Sequence, residues 1–238
     1  TGRALRTFGV FREITERKRT EERLRDLSRR LIGAHEEERA LLACELHDDV
    51  SQRLAALAID VGRAEAAAPD TRQEQAMRRI REGLVRLSED IHGLAYQLHP
   101  SVLEELGLAE ALRAECERRR RQGTLDLSLE IGPLPAAIGH DAALCLFRVA
   151  QEALNNVIRH SGAADTTVSL RQMDGGLLLA VRDDGVGFDA ANPARGRSLG
   201  LASMRERVRL VNGTLDIESA LGQGTSIAAW VPFEGEAP

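Results

Sequence analysis

Aromatic side chains are scarce: they make up 3% of the 238 residues, with a single Trp and a single Tyr. Any core must be built from Leu, Ile, Val and Ala, and recognition of RNA or sugars by stacking is not expected. Cysteine is also rare. Cys44, Cys116 and Cys145 stand far apart and form no CxxC, which argues against a disulfide framework or a zinc knuckle and fits a reducing compartment. No run approaches the roughly 20 apolar residues needed to cross a bilayer, and nothing reads as a signal peptide. Neither sign of charge dominates: 32 Lys and Arg against 37 Asp and Glu leave a formal net charge of -5. A mainly electrostatic nucleic-acid binder is therefore not expected. GxxxxGK[ST] is missing and no GxGxxG follows a first strand, which removes the P-loop and Rossmann readings.

Hydrophobic residues at 43% and charged residues at 29% are a folding composition. The length suits two compact domains, or one domain with a long helical arm. The first residue is Thr1, so the expectation is a piece of a longer protein.

Leu5 to Ile14 could form a strand, but one strand cannot bury its own face. Residues 1–14 are therefore expected to be the remnant of an upstream domain. Thr15 reads as an N-cap. From there to Ala66 the apolar positions Leu24, Leu27, Leu31, Ala34, Leu42, Leu46, Val50, Leu54, Leu57 and Val61 fall three or four apart, predicting one long amphipathic helix. A Pro-marked turn, AAAPDT, follows. Met77, Ile80, Leu84, Leu87, Ile91, Leu94 and Leu98 then mark a second helix with a heptad seam, which Pro100 stops. A hairpin with one stripe per helix has an uncovered face. A second copy would cover it by making a four-helix bundle, because only Leu108 to Arg121 is spare to do so within the chain.

After Gln122-Gly123 the pattern changes. Leu125–Ile131, Thr166–Leu170, Leu177–Val181, Thr214–Ser219 and Thr225–Val231 read as strands, with helices over residues 140–160 and Leu201–Val211. That is an α/β sandwich with helices on one face of a mixed sheet. The expected division is thus 1–14 remnant, 15–122 helical hairpin and 123–238 α/β domain.

Asp183-Asp184-Gly185-Val186-Gly187-Phe188-Asp189 follows a strand, so a carboxylate stands beside backbone able to approach a flat ligand. Gly196, Gly200, Gly222 and Gly224 form two further clusters, and Gly200 precedes a helix where N–H groups could hold phosphates. Glu152 and Asn156, four apart, share a helix face. They suit Mg2+ held against phosphates, although helix-surface polarity would explain the pair equally well. Glu45-Leu46-His47-Asp48 lies mid-helix, with Leu46, Val50 and Leu54 expected in the core and His47 and Asp48 turned outward. Taken alone, His beside Asp is usually a surface pair. As a unit it is a neutral imidazole nucleophile near pKa ~6.5 with an adjacent base.

In this order, QEALNNVIRH, DDGVGFD, GRSLGLASMRERV and GQGTSIAAWVP resemble the N, G1 and later glycine boxes of the GHKL (Bergerat) ATPase fold shared by sensor histidine kinases, gyrase, Hsp90 and MutL. The resemblance implies ATP and Mg2+, with Asn156 as metal ligand and Asp183 on the adenine. Glu152 would either help the metal or position the reacting group. Gly185 and Gly187 would make room for the base, and Asp189–Leu199 would be a short lid. Gly200 and Leu201 would meet the phosphates, Arg159 and His160 would lie near them, and Gly224 and Thr225 would close the purine side.

ERALLACELHDDVSQRLAAL resembles the phosphoacceptor segment of NarL/DegS/DesK-like sensor kinases, and IHGLAYQLHPSVLEELGLAEAL their segment after the second helix. The resemblance implies that His47 is phosphorylated, that Asp48 is the base and that Gln52 orients water in dephosphorylation. It also implies a homodimer and a separate response regulator carrying the receiver aspartate, with no direct nucleic-acid or membrane contact by this piece. His92 and His99 are expected to be structural. Residues 1–23 resemble the end of a PAS sensor domain running into its signalling helix. The setting is then cytoplasmic, with any membrane attachment through upstream segments. Ser198 stands where the family often has Gly, and Leu41 where it commonly has a basic residue; neither change removes a reacting group. A protein-serine kinase of the anti-sigma type, a gyrase-like clamp and a non-catalytic nucleotide-binding scaffold are the competing classes. The first has no need of ELHDDVSQ, and the second needs a transducer domain.

Overall fold

The computed structural model describes residue 23 and residues 26–67, 71–98, 101–122, 125–135, 137–189 and 195–233. The expected strand at Leu5–Ile14, the cap at Thr15, His99 and the stop at Pro100 lie outside the described residues. So do the side chains of His47, Asp48 and Ser198. Two compact units are formed, one through Pro100 and one from Ser101.

The first unit is a helical hairpin. Residues 26–45 form α1, which runs through a π-helical turn at Leu46–Val50 into α2, Ser51–Ala66. Beyond Pro69, α3 spans Thr71–Leu98 and packs along both α2 and the π turn. An unbroken α-helix was expected here. Instead the Ser51 N–H donates to the Leu46 carbonyl five residues back. One extra residue per turn shifts the helix phase, so the stripe is not the expected one. Ser51 and Leu54 are buried, at 6% and 8% exposed, while Leu46 and Val50 are only half-buried.

The heptad seam of α3 divides in two. Met77, Leu84, Ile91 and Leu98 are partly covered, whereas Ile80, Leu87 and Leu94 are about half exposed, at 51%, 47% and 49%. Leu27, Leu31, Leu42 and Leu57 on the other arm are open as well, as is Leu41. At the hairpin tip, Glu65 receives Arg78 Nε at 3.0 Å and Arg81 Nε at 2.8 Å.

In the second unit, α4 covers Ser101–Gln122 and is broken at Gly107, whose φ of +83° only glycine adopts readily. The sheet comprises β1 (Asp126–Ile131), β2 (Asp165–Met173), β3 (Gly176–Asp183), β4 (Thr214–Ser219) and β5 (Thr225–Pro232). Its order is β1-β2-β3-β5-β4, with β1 parallel to β2 and the remaining pairs antiparallel. Asp174 and Gly175 turn β2 into β3, both at positive φ, as a two-residue hairpin requires. Two helices, α5 (His140–Asn156) and α6 (Arg195–Leu210), pack on one another and on the sheet. The start of α6 precedes the expected Leu201, so the last residues assigned to the lid lie within the helix.

The expected division after residue 122 moves to Ser101. The reason is α5, where Ala142, Ala143, Cys145 through Ala150, Ala153 and Leu154 are all buried. A single sheet covers only one side of a helix, and α4 covers the rest through Leu108, Ala111, Leu112 and Cys116. The polar look of α4 hides this. Glu115 is completely buried, but Arg118 (2.6 Å) and Arg119 (2.8 Å) of the same helix neutralise it. Arg120 Nε donates to Leu127 O at 2.6 Å, which ties α4 to β1.

Two outcomes follow. The hydrogen bonds from Arg81 and Arg78 hold the Glu65 carboxyl below its usual range. A depressed carboxyl contributes its stability above the unfolded value of about 4.3 and loses it as pH falls through the lower folded value. Glu65→Gln should therefore lower stability at neutral pH, flatten its acid limb measured by circular dichroism, and converge on wild type once the carboxyl is protonated in both states. Burial pushes the Cys116 and Cys145 thiols up to about 12, while Cys44 is exposed. One thiol should react with maleimide in native protein and three after denaturation.

Candidate functional site

Sheet register builds the site. Thr166 pairs with Asp183, Asp183 with Thr225, and Thr225 with Ser219. Two residues further along each strand the row is Val168, Val181, Ile227 and Ile217, and the next is Leu170, Leu179, Ala229 and Leu215. The core-facing side is thus apolar until its last rung, where three hydroxyls flank one carboxylate.

The two adjacent carboxylates have different tasks. Asp184 Oδ1 accepts from the N–H groups of Ala164 (2.9 Å) and Asp165 (3.0 Å), fixing the start of β2. Asp183 Oδ1 accepts from Gly185 N–H at 2.9 Å, and its side chain lines a cleft with about 450 Å³ of open space out to its mouth. The walls are apolar (Val181, Leu201, Phe188, Ile227), and Asn156, His160, Gly187 and Thr225 add polar and backbone groups.

Backbone approaches backbone around this cleft. Gly224 has φ +71°, and a Cβ there would meet the Asp183 carbonyl; Gly187 has φ +60° and faces Ala220 and Gly224 in the same way. A Cβ on Gly185 would meet Ser161 and the Asp183 carboxylate. Ser219 Oγ links the loops. It accepts from Phe188 N–H at 2.9 Å, donates to Gly224 O at 3.0 Å, and stands 3.0 Å from Thr225 Oγ1.

Asn156 ends α5, just before a second π-helical turn at Val157–Ser161. Its Nδ2 is buried with no hydrogen-bond partner among the described residues. A buried amide lacking a partner fits a bound ligand. The amide can turn over, so either its N–H or its oxygen can face that ligand. On the same helix Glu152 meets α6: a Cβ on Gly200 would fall on the Glu152 carboxylate. The two residues linked by spacing thus stand at different places, Asn156 in the cleft wall and Glu152 at Gly200. Arg159 is exposed and outside the cleft lining, whereas His160 is part of it.

In the first unit, His47 and Asp48 fall in the π turn Leu46–Val50, and Gln52 is exposed in the first turn of α2. His92 Nδ1 lies 2.9 Å from Ser88 O and 3.4 Å from Ser51 Oγ.

Two family models match the chain. Residues 142–235 match the histidine kinase-, DNA gyrase B- and HSP90-like ATPase, and residues 38–103 match a histidine kinase model. The chain belongs to the sensor histidine kinases. It is 36% identical over 230 residues to the sensor histidine kinase MctS of Rhizobium johnstonii, a match covering 94% of this chain and 49% of the relative. The oxygen sensor histidine kinase NreB of Staphylococcus carnosus is 29% identical over 209 residues, covering 88% of this chain and 60% of the relative. The chain therefore spans about half to three-fifths of the length of these relatives. In fold, it is similar to the blue-light activated histidine kinase of Erythrobacter litoralis EL346, with a TM-score of 0.50, 16% identity, and coverage of 79% of this chain and 61% of the other.

Sequence reasoning left out the cleft's apolar lining: Ala153, Val157, Val181, Phe188 and Ile227, with Ser161 beside them. A signal existed for most. Val181 and Ile227 stand two residues from Asp183 and Thr225, hence on the same strand face, and Phe188 lies inside DDGVGFD.

The glycines separate two effects. Gly200→Ala should keep or raise thermal stability, since Ala is better than Gly inside a helix by about 1 kcal/mol. It should also displace the Glu152 carboxylate and lower ATP-dependent activity to the level of Glu152→Gln. Gly224→Ala should cost more than about 1 kcal/mol through its left-handed backbone and weaken ATP binding as well. Scanning fluorimetry beside a fluorescent-nucleotide titration distinguishes the two.

Proposed function

We propose that this chain is the phosphotransfer and ATP-binding portion of a sensor kinase, which phosphorylates His47 from ATP and passes the group to an aspartate of a separate response regulator. The observation that carries this is the pairing, in one chain, of ELHDDVSQ on a helical hairpin with the Asp183–Asn156 cleft. Residues 15–100 would be the signalling and phosphotransfer part, and 101–238 the catalytic part.

Asp183 accepts the 6-amino group of adenine, whose faces meet Val181, Ile227 and Leu201. The backbone around Gly185, Gly187, Gly224 and Thr225 admits the base, and the first turn of α6, which begins at Arg195 ahead of Gly200, favours phosphate charge. Asn156 would hold Mg2+, which offsets phosphate charge when bound, while Glu152, against Gly200, would position the reacting group. The α5 end offers one oxygen donor, enough for an ion that keeps most of its ligands as water and phosphate. Arg159 and His160 follow directly in the chain.

For transfer, a ring nitrogen of neutral His47 attacks the γ-phosphorus. The bond to the β–γ bridging oxygen breaks, ADP leaves, and Asp48 takes the imidazole proton. The phosphoryl group then passes from nitrogen to the receiver carboxylate. In the reverse role, Gln52 orients the water that hydrolyses the acyl phosphate.

A homodimer is supported by the divided seam: Ile80, Leu87 and Leu94 recur every seven residues and remain open in the single hairpin, as half of a four-helix bundle requires. Among the described residues no helix is long and apolar enough to cross a membrane. With a net charge of -5, the proposed setting is cytoplasmic, with no nucleic-acid contact.

Incubation with Mg2+ and γ-labelled ATP beside His47→Gln tests the reading. The expected label survives base, is lost in acid and is absent from the variant. Label persisting in His47→Gln would assign the acceptor elsewhere, as in a serine kinase. Nucleotide binding without label would leave a scaffold.

A further inference from the structure

Ser51 and His92 form a polar link between α3 and the π turn that contains His47. A carbonyl can only accept, so the 2.9 Å contact of His92 Nδ1 with Ser88 O requires the proton on Nδ1. The protonated nitrogen cannot accept in turn, so the 3.4 Å contact makes Ser51 Oγ an acceptor of the same N–H. The Ser51 hydroxyl then donates its own proton to the Leu46 carbonyl, at 3.2 Å. That carbonyl also accepts the Ser51 N–H, the bond that makes this turn π-helical rather than α-helical. Ser51 is 6% exposed, so its hydroxyl cannot readily exchange these partners for water.

A π turn contains one residue more than the α-helix it interrupts. Removing it would rotate the helix on its N-terminal side by about 100° and draw it in by about 1.5 Å. We propose that Ser51 and His92 are positioning residues: together they clamp Leu46 O and hold the His47–Asp48 backbone in π-helical register relative to α2 and α3. This rests on the reading of His47 as the phosphoacceptor, and it adds a device that ELHD and the Asp-to-Gln spacing do not contain. His92 Nδ1 and Asn Nδ2 are both bonded to Cγ, so asparagine can replace the donor without the ring.

The test compares wild type with Ser51→Ala, His92→Ala, His92→Asn and the double alanine variant, all in the full chain. Labelling by γ-labelled ATP is measured at varied ATP, and amide hydrogen exchange over residues 46–51 is followed by mass spectrometry. Each alanine should lower kcat about five- to tenfold, the scale of one lost hydrogen bond, with KM for ATP unchanged and faster exchange of that segment. The double variant should be no worse than either single one, and His92→Asn should return both readouts to near wild type. Losses that multiply, asparagine no better than alanine, or unchanged exchange would each overturn the clamp. If wild type carries no label, or His47→Gln keeps it, the acceptor reading fails. The exchange pattern still decides the clamp, because it needs no phosphoryl transfer.

Discussion

The cleft depends on the register by which β3 lies between β2 and β5. Strand side chains alternate with a period of two, so a slip of one residue would turn Asp183 away and drive Arg182 into the core. The register is held by the apolar rows through Val181 and Leu179, which gain stability only when they face α5. The same packing that makes the core therefore aims the carboxylate. Thr166, Thr225 and Ser219 complete the rung, and the Thr166 hydroxyl is buried with no partner among the described residues.

Each unit has a π-helical turn beside its candidate site residues, Leu46–Val50 at His47 and Val157–Ser161 after Asn156. Each turn is closed by a serine hydroxyl: Ser51 on Leu46 O, and Ser161 on Val157 O at 2.8 Å. A π turn is less favourable than an α turn and needs such support. At Ser161 the support extends further, because its carbonyl accepts from Val186 N–H and joins the end of α5 to the glycine loop. Local irregularity at these points is thus anchored by named bonds.

The helical hairpin has a different economy. Its ion pairs at Glu65 define the tip, while much of its apolar seam remains open. Exposed leucines at heptad spacing do not stabilise a lone hairpin; they would do so on burial by a second one, at roughly 2 kcal/mol for each fully covered side chain. The α/β unit needs no such help, since α4 and the sheet enclose α5 on both sides.

Periodicity was enough to find both helices of the hairpin and all five strands, and the resemblance of the glycine-rich boxes picked out Asn156, Asp183, Gly187, Leu201 and Thr225, which line one cleft. These signals are local: alternation, heptads and glycine spacing act over a few residues, and the order of boxes along the chain carries the family. What the sequence did not disclose arises from contacts between distant segments. Burial of Glu115 depends on its arginines and on α5, so α4 joins the second unit against its own polar pattern. Gly200 can lie inside α6 because Glu152, 48 positions earlier in the chain, fills the space a Cβ would take. The π turn at Leu46 is set by Ser51 together with His92 on the opposite helix, and an α-helical wheel cannot show an inserted residue. Sequence alone determined which residues could do the chemistry; tertiary packing decided in what phase and against which neighbours they stand, because register and burial are properties of surfaces in contact.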